Sequence, residues 1–132
     1  MGSRTVDEAE FHGDEVDFDA TFCWPKPSKI PYPPIYFGGF TAATVRRARR
    51  HQAGWMPIAV PDVAMVSGQL GLLDGATDIP VSVVLPQNAE PALFDAYREH
   101  GAERALVSLS THSEAETLRS LDRIAPLIET YR

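Results

Sequence analysis

From residue 35 onward the chain switches four times between a short β-branched or aromatic run and a stretch with helical spacing. "PIYFGG" leads into "TAATVRRARR", "GWMPIAV" into "PDVAMVSGQLGLL", "IPVSVVLP" into "EPALFDAYREHG", and "RALVSLS" into "SEAETLRSLDRIAPLIETYR". Strands alternating with helices imply βαβ units, right-handed crossovers and a parallel sheet. The end signals agree. Thr41 is the expected N-cap of a helix over Ala42–Gln52, with Gly54 as its terminator and Ala42, Val45 and Ala48 as its buried stripe. Gly68 and Gly71 make the second helix the weakest, since each costs about 1 kcal/mol relative to alanine. The third has Pro91 in its first turn and Gly101 past its end. Ser113 and Glu116 form a capping box for the fourth, whose expected buried stripe is Leu118, Leu121, Ala125 and Ile128. Pro126 has no amide for the Asp122 carbonyl and is expected to kink or interrupt that helix.

The first 34 residues read differently. Seven carboxylates lie between Asp7 and Asp19, and only "EVDFDATF" alternates enough for one short edge strand. "WPKPSKIPYPP", residues 24–34, holds five prolines, which rules out a helix or a central strand. The expected organisation is therefore an acidic, then proline-rich segment over 1–34 with little regular structure, and a βα-repeat domain over 35–132.

A chain of 132 residues with 44% apolar and 23% charged residues is in the range of one soluble domain. No run approaches the roughly 18 apolar residues of a membrane span, and the N-terminus has no apolar core of a secretory signal. Val6 stands where N-myristoylation wants Ser or Thr. The expected location is cytoplasmic, away from membranes. Cys23 is the only cysteine, so no internal disulfide or cysteine metal cage can form. A net charge of −6 argues against nucleic acid as the main partner. The Arg46, Arg47, Arg49 and Arg50 cluster reads as a solvated helix face rather than a nucleic-acid patch.

The most informative junction is "YFGGFTAAT". In parallel α/β sheets, ligands bind where strands end and helices begin. Gly38 and Gly39 let the backbone approach a ligand closely. The amides of residues 40–43 then face outward at the positive end of a helix, with Thr41 or Thr44 able to add a hydroxyl, an arrangement suited to phosphate. A tight βα turn with no ligand is the plainer alternative. The stretch matches neither a P-loop nor G-x-G-x-x-G. His12, His51, His100 and His112 show no ligand spacing, "HGDE" reads as a solvated loop, and no metal site is expected. Trp55 reads as core rather than as a stacking platform. "SLSTHSE" lacks a nucleophile elbow, and Ser113 is explained as a cap.

"FHGDEVDF", "WPKPSKIPYPPIYFGGFTAATVRRARRHQAGWMPI" and the closing "HGAERALVSLSTHSEAETLRSLDRIAPLI" together resemble the C-terminal half of the luciferase-like monooxygenases, in particular their coenzyme F-420-dependent branch. The resemblance implies an α/β fold: the C-terminal portion of a (β/α)8 TIM barrel, about four parallel strands alternating with helices. It implies a truncated flavin- or deazaflavin-dependent oxidoreductase, with coenzyme F-420, or alternatively FMN, held near its phosphate by Gly38, Gly39, Phe40 and Thr41. A small-molecule substrate and a homo-oligomer or complementing chain would complete it. No residue is singled out as a catalytic acid, base or nucleophile. The alternative is a non-catalytic remnant or interaction module that dimerises through an open sheet edge.

Overall fold

The computed structural model describes residues 7–22, 24–29, 32–109 and 112–131. Cys23, the first six residues, and Ser110 and Thr111 of "SLSTHSE" lie outside the described residues. The chain divides at the last proline of the proline-rich stretch into two units, Met1–Pro34 and Ile35–Arg132.

In the first unit, β1 (Glu8–His12) and β2 (Asp17–Phe22) form an antiparallel hairpin, where sequence alone suggested one strand. "HGDE" makes its turn: the Gly13 amide donates to the Val16 carbonyl at 3.0 Å, and His12 Nδ1 lies 2.6 Å from Asp17 Oδ1. Phe11 and Phe18 face each other across the pair, both exposed.

The second unit runs β3 (Tyr36–Gly38), α1 (Ala42–Arg50), β4 (Gly54–Met56), α2 (Val66–Leu70), β5 (Ser82–Leu85), α3 (Pro91–Glu99), β6 (Arg104–Val107) and α4 (Glu114–Thr130). The barrel portion expected from sequence does not form. The strands associate as three two-stranded sheets: β1 with β2 antiparallel, β3 with β4 parallel, and β5 with β6 parallel. Between β4 and β5 there are only the isolated parallel bridges Trp55–Val81 and Ile58–Val84. Two local causes are visible. β4 stops after three residues at the fully buried Pro57, which has no amide to donate. The connection that follows contains no full crossover helix, because α2 has five residues and is bracketed by the 3-10 turns Val63–Met65 and Gly71–Leu73.

Apolar burial holds this unit together. Val81 just before β5, and Val83 and Leu85 within it, alternate onto one face and pack with Val45 and Ala48 of α1, Trp55 of β4, Val66 and Leu70 of α2, and Leu93, Phe94 and Tyr97 of α3. Ala42, expected in the stripe of α1, is exposed. α1 ends at Arg50, with the positive φ carried by Gln52. Gly54 is not its terminator but the first residue of β4, where a Cβ would overlap the Tyr36 ring and lie 2.9 Å from the Pro80 carbonyl.

α4 departs most from its expected packing. It runs through Pro126 without a break and turns Ser120, Ile124 and the half-buried Leu127 inward, while Leu118, Leu121 and Ile128 stay exposed. Two stripes on this helix have apolar character. The register of its C-terminus decides between them: Tyr131 stacks on Phe94 at 5.2 Å and its hydroxyl donates to the Pro91 carbonyl at 3.0 Å. No helix among the described residues is long and apolar enough to cross a membrane.

Candidate functional site

The Gly38–Thr41 bend lies between the end of β3 and the start of α1. Gly39 adopts φ +127°, a region L side chains rarely enter, and a Cβ there would lie 2.7 Å from Thr44 Oγ1. Glycine is therefore demanded by the backbone at this position. Gly38 is different. A Cβ at Gly38 would meet nothing closer than the Met56 carbonyl at 3.8 Å, so its missing side chain leaves space open rather than relieving a clash.

Trp55 holds the bend from below. It is fully buried in β4, and its Nε1–H donates to the Gly39 carbonyl at 2.9 Å. An indole buried with its one polar atom satisfied anchors the backbone rigidly. Thr41 caps α1 as expected: its Oγ1 accepts from the Thr44 amide at 3.3 Å and lies 3.3 Å from Thr44 Oγ1. One of the two hydroxyl protons joins that pair, which leaves the other able to donate elsewhere. The first intrahelical bonds run from Thr44 and Val45 to the Thr41 carbonyl, so the amides of Ala42 and Ala43 have no intrahelical acceptor. No acidic residue sits in the first turn to compete for them. Phe40, 58% exposed, flanks the bend. The four residues expected from sequence, Gly38, Gly39, Phe40 and Thr41, are consecutive in this bend, and the free donors follow at its helix end, in the Ala42 and Ala43 amides and the Thr41–Thr44 hydroxyl pair. Amides plus a hydroxyl suit the oxygens of a phosphate group.

A second feature occupies the carboxyl ends of β4, β5 and β6. A cavity of about 760 Å³ is bounded there by Ile58, Val60 and Pro61 after β4, Val84 and Pro86 at the end of β5, and Leu109 after β6, with Ser108 and Arg123 at its polar edge. Its β4-side wall is pinned by buried polar groups. The Val60 amide donates to Tyr97 Oη at 2.9 Å, Tyr97 Oη donates to Gln69 Oε1, and Gln69 Nε2 donates to the Ile58 carbonyl at 2.9 Å. Gln69 and Tyr97 are both buried, and burial pushes the Tyr97 phenol above its ordinary value, opposed by the Val60 amide. Sequence reading overlooked this relay. The available signal was Gln69, a lone amide in the otherwise apolar and small-residue run "VAMVSGQLGLL".

The other sequence candidates are not drawn together. His51 faces the Phe37 ring at 5.7 Å, while the His100 ring lies against the Ala96 carbonyl of its own helix at 2.8 Å. Arg46, Arg47, Arg49 and Arg50 are all exposed, as expected of a solvated face. Ser113 and Glu116 form the expected capping box, and the two Ser113 hydrogen bonds hold the Glu116 carboxyl below its usual range. Among the described residues no group of three or more His, Cys, Asp or Glu is placed to hold a metal. No protein-family model matches the chain, and comparison with curated proteins finds no match.

Proposed function

We propose that this chain binds the phosphate-bearing tail of a redox coenzyme, coenzyme F-420 or alternatively FMN, as part of an oxidoreductase of the luciferase-like type. The observation that carries the reading is the Gly38–Thr41 bend, preset by Gly39 at φ +127° and by the Trp55–Gly39 hydrogen bond. Donors on a fixed backbone need little reorganisation when an anion arrives. The coenzyme supplies the redox chemistry, and the protein supplies position and electrostatics. In this reading Thr41 and the amides of Ala42 and Ala43 hold the phosphate, Phe40 covers one side, and the open space at Gly38 admits the tail. A cytoplasmic location, a small-molecule substrate and a second copy or complementing chain belong to the same proposal. The test is a fluorescence titration with coenzyme F-420 and, separately, FMN. Saturable binding is expected, weakened about tenfold in Thr41→Val/Thr44→Val through loss of charge-assisted donation. A flat titration into the high micromolar range refutes it.

A second reading, a non-catalytic interaction module that dimerises, is favoured by Leu118, Leu121 and Ile128, which α4 leaves exposed along one stripe. A stable monomer by sedimentation equilibrium removes this reading, while a dimer that gives a flat coenzyme titration favours it over the first.

A further inference from the structure

We infer that the cavity at the carboxyl ends of β4, β5 and β6 binds a small amphiphile with an apolar body and one carboxylate, gripped at the cavity edge by Arg123. This site is separate from the Gly38–Thr41 bend and does not depend on the coenzyme reading.

Two observations converge on it. The first is the wall. Ile58 is 57% exposed, yet the backbone on either side of it is fixed by the Tyr97–Gln69 relay at Val60 and at Ile58 itself. The Ala59 amide also donates to the Val84 carbonyl at 2.8 Å. The buried Gln69 and Tyr97 are hydrogen-bonded to each other and to this loop, so the apolar Ile58 side chain is held exposed on a fixed backbone. Ile58, Pro61, Val84 and Leu109 give the cavity an apolar interior, which matches an apolar ligand body.

The second observation is charge. An adjoining cavity of about 480 Å³ shares Gln87 and Arg123 with the first and adds His112, Arg119 and Glu116. Glu116 is occupied, because its Oε2 accepts from the Ser113 hydroxyl at 2.6 Å and amide at 3.2 Å. Arg123 reaches only a hydroxyl, Ser120 Oγ, at 3.4 Å, and no described carboxylate forms an ion pair with it or with Arg119. Two guanidiniums against one engaged carboxylate leave the edge net positive. An anion of single charge and planar shape complements the guanidinium fork.

The experiment uses the full chain and four probes: octanoate, naphthalene-2-carboxylate and the neutral amide of each, measured by calorimetry and ligand-observed NMR. Saturable binding of both carboxylates is expected, tighter than that of the amides and weakened by added salt. Arg123→Gln should weaken the carboxylates about tenfold and leave the amides unchanged. Ile58→Ser, at an exposed position, should weaken carboxylates and amides alike. The inference is overturned if no carboxylate binds at millimolar concentration, or if Arg123→Gln leaves carboxylate affinity unchanged or lowers both classes equally. A dimer that Ile58→Ser dissociates, seen without carboxylate binding, assigns the cavity to a second copy and also overturns it.

Discussion

Gly38 and Gly39 are adjacent and identical in sequence, yet replacing each by alanine should move stability in opposite directions. At Gly39 the alanine must adopt φ +127°, and its Cβ would come within 2.7 Å of Thr44 Oγ1. A non-glycine residue in such a region costs about 1–3 kcal/mol. Turning Thr44 away also breaks the Thr41–Thr44 hydroxyl contact, worth about 0.5–1.5 kcal/mol. The sum is about 1.5–4.5 kcal/mol, or a fall in Tm on the order of 10–30 °C for a unit of this size. At Gly38 the nearest atom to a Cβ is 3.8 Å away and φ is not in the positive region. Alanine there restricts the unfolded chain without straining the fold, for a gain of about 0.4–1 kcal/mol. Thermal unfolding followed by circular dichroism, with refolding checked, measures both variants beside the parent. Equal losses at the two positions, or a Gly39→Ala variant as stable as the parent, would refute the geometry assigned to the bend.

Other perturbations bear on the rest of the unit. Tyr97→Phe strips the acceptor from the Val60 amide and the donor from Gln69, and should cost about 1–3 kcal/mol in urea unfolding at neutral pH. Because the native Tyr97 phenol is raised above its ordinary value near 10, its proton-linked stability is whole below about pH 10 and drains as pH climbs through the native value. The variant should show a shallower alkaline loss than the parent; identical slopes would contradict the burial of that hydroxyl. Gly54→Ala forces a methyl between the Tyr36 ring and the Pro80 carbonyl, an overpacking worth about 1–3 kcal/mol or more, and near-neutral stability would argue against that β3–β4 contact. The depressed Glu116 carboxyl makes the α4 cap complete above the ordinary carboxylate range and lost as pH falls through its lowered native value. Ser113→Ala should abolish that acid-dependent loss of helicity, and an unchanged acid profile would show the cap to be silent.

Much of the second unit was legible because its signals are local. Thr41, the Ser113–Glu116 box, and Pro91 with Gly101 at φ +88° act through backbone groups within a few residues, so their positions mark helix ends wherever the helix packs. The turn at Gly38–Thr41 was visible for the same reason. Long-range choices were not. Leu118, Leu121, Ala125 and Ile128 repeat with helical spacing as well as any core stripe, but spacing carries no record of which face meets the sheet. Gly54 has the composition of a helix stop, and only the Tyr36 ring above it shows that it is a strand glycine.

Sequence alone therefore determined the alternating order of elements in residues 35–132, the caps of α1, α3 and α4, and the glycine-threonine corner after β3. Tertiary structure decided which strands pair into sheets, the break beyond β4 at Pro57, the burial of Ser120 and Ile124 in place of the leucine stripe, and the Tyr97–Gln69 relay that shapes the cavity. The physical reason is range. Caps and turns are satisfied by neighbours along the chain, whereas pairing and burial are settled by partners that Tyr97 and Gln69, 28 residues apart, meet only once the chain has folded.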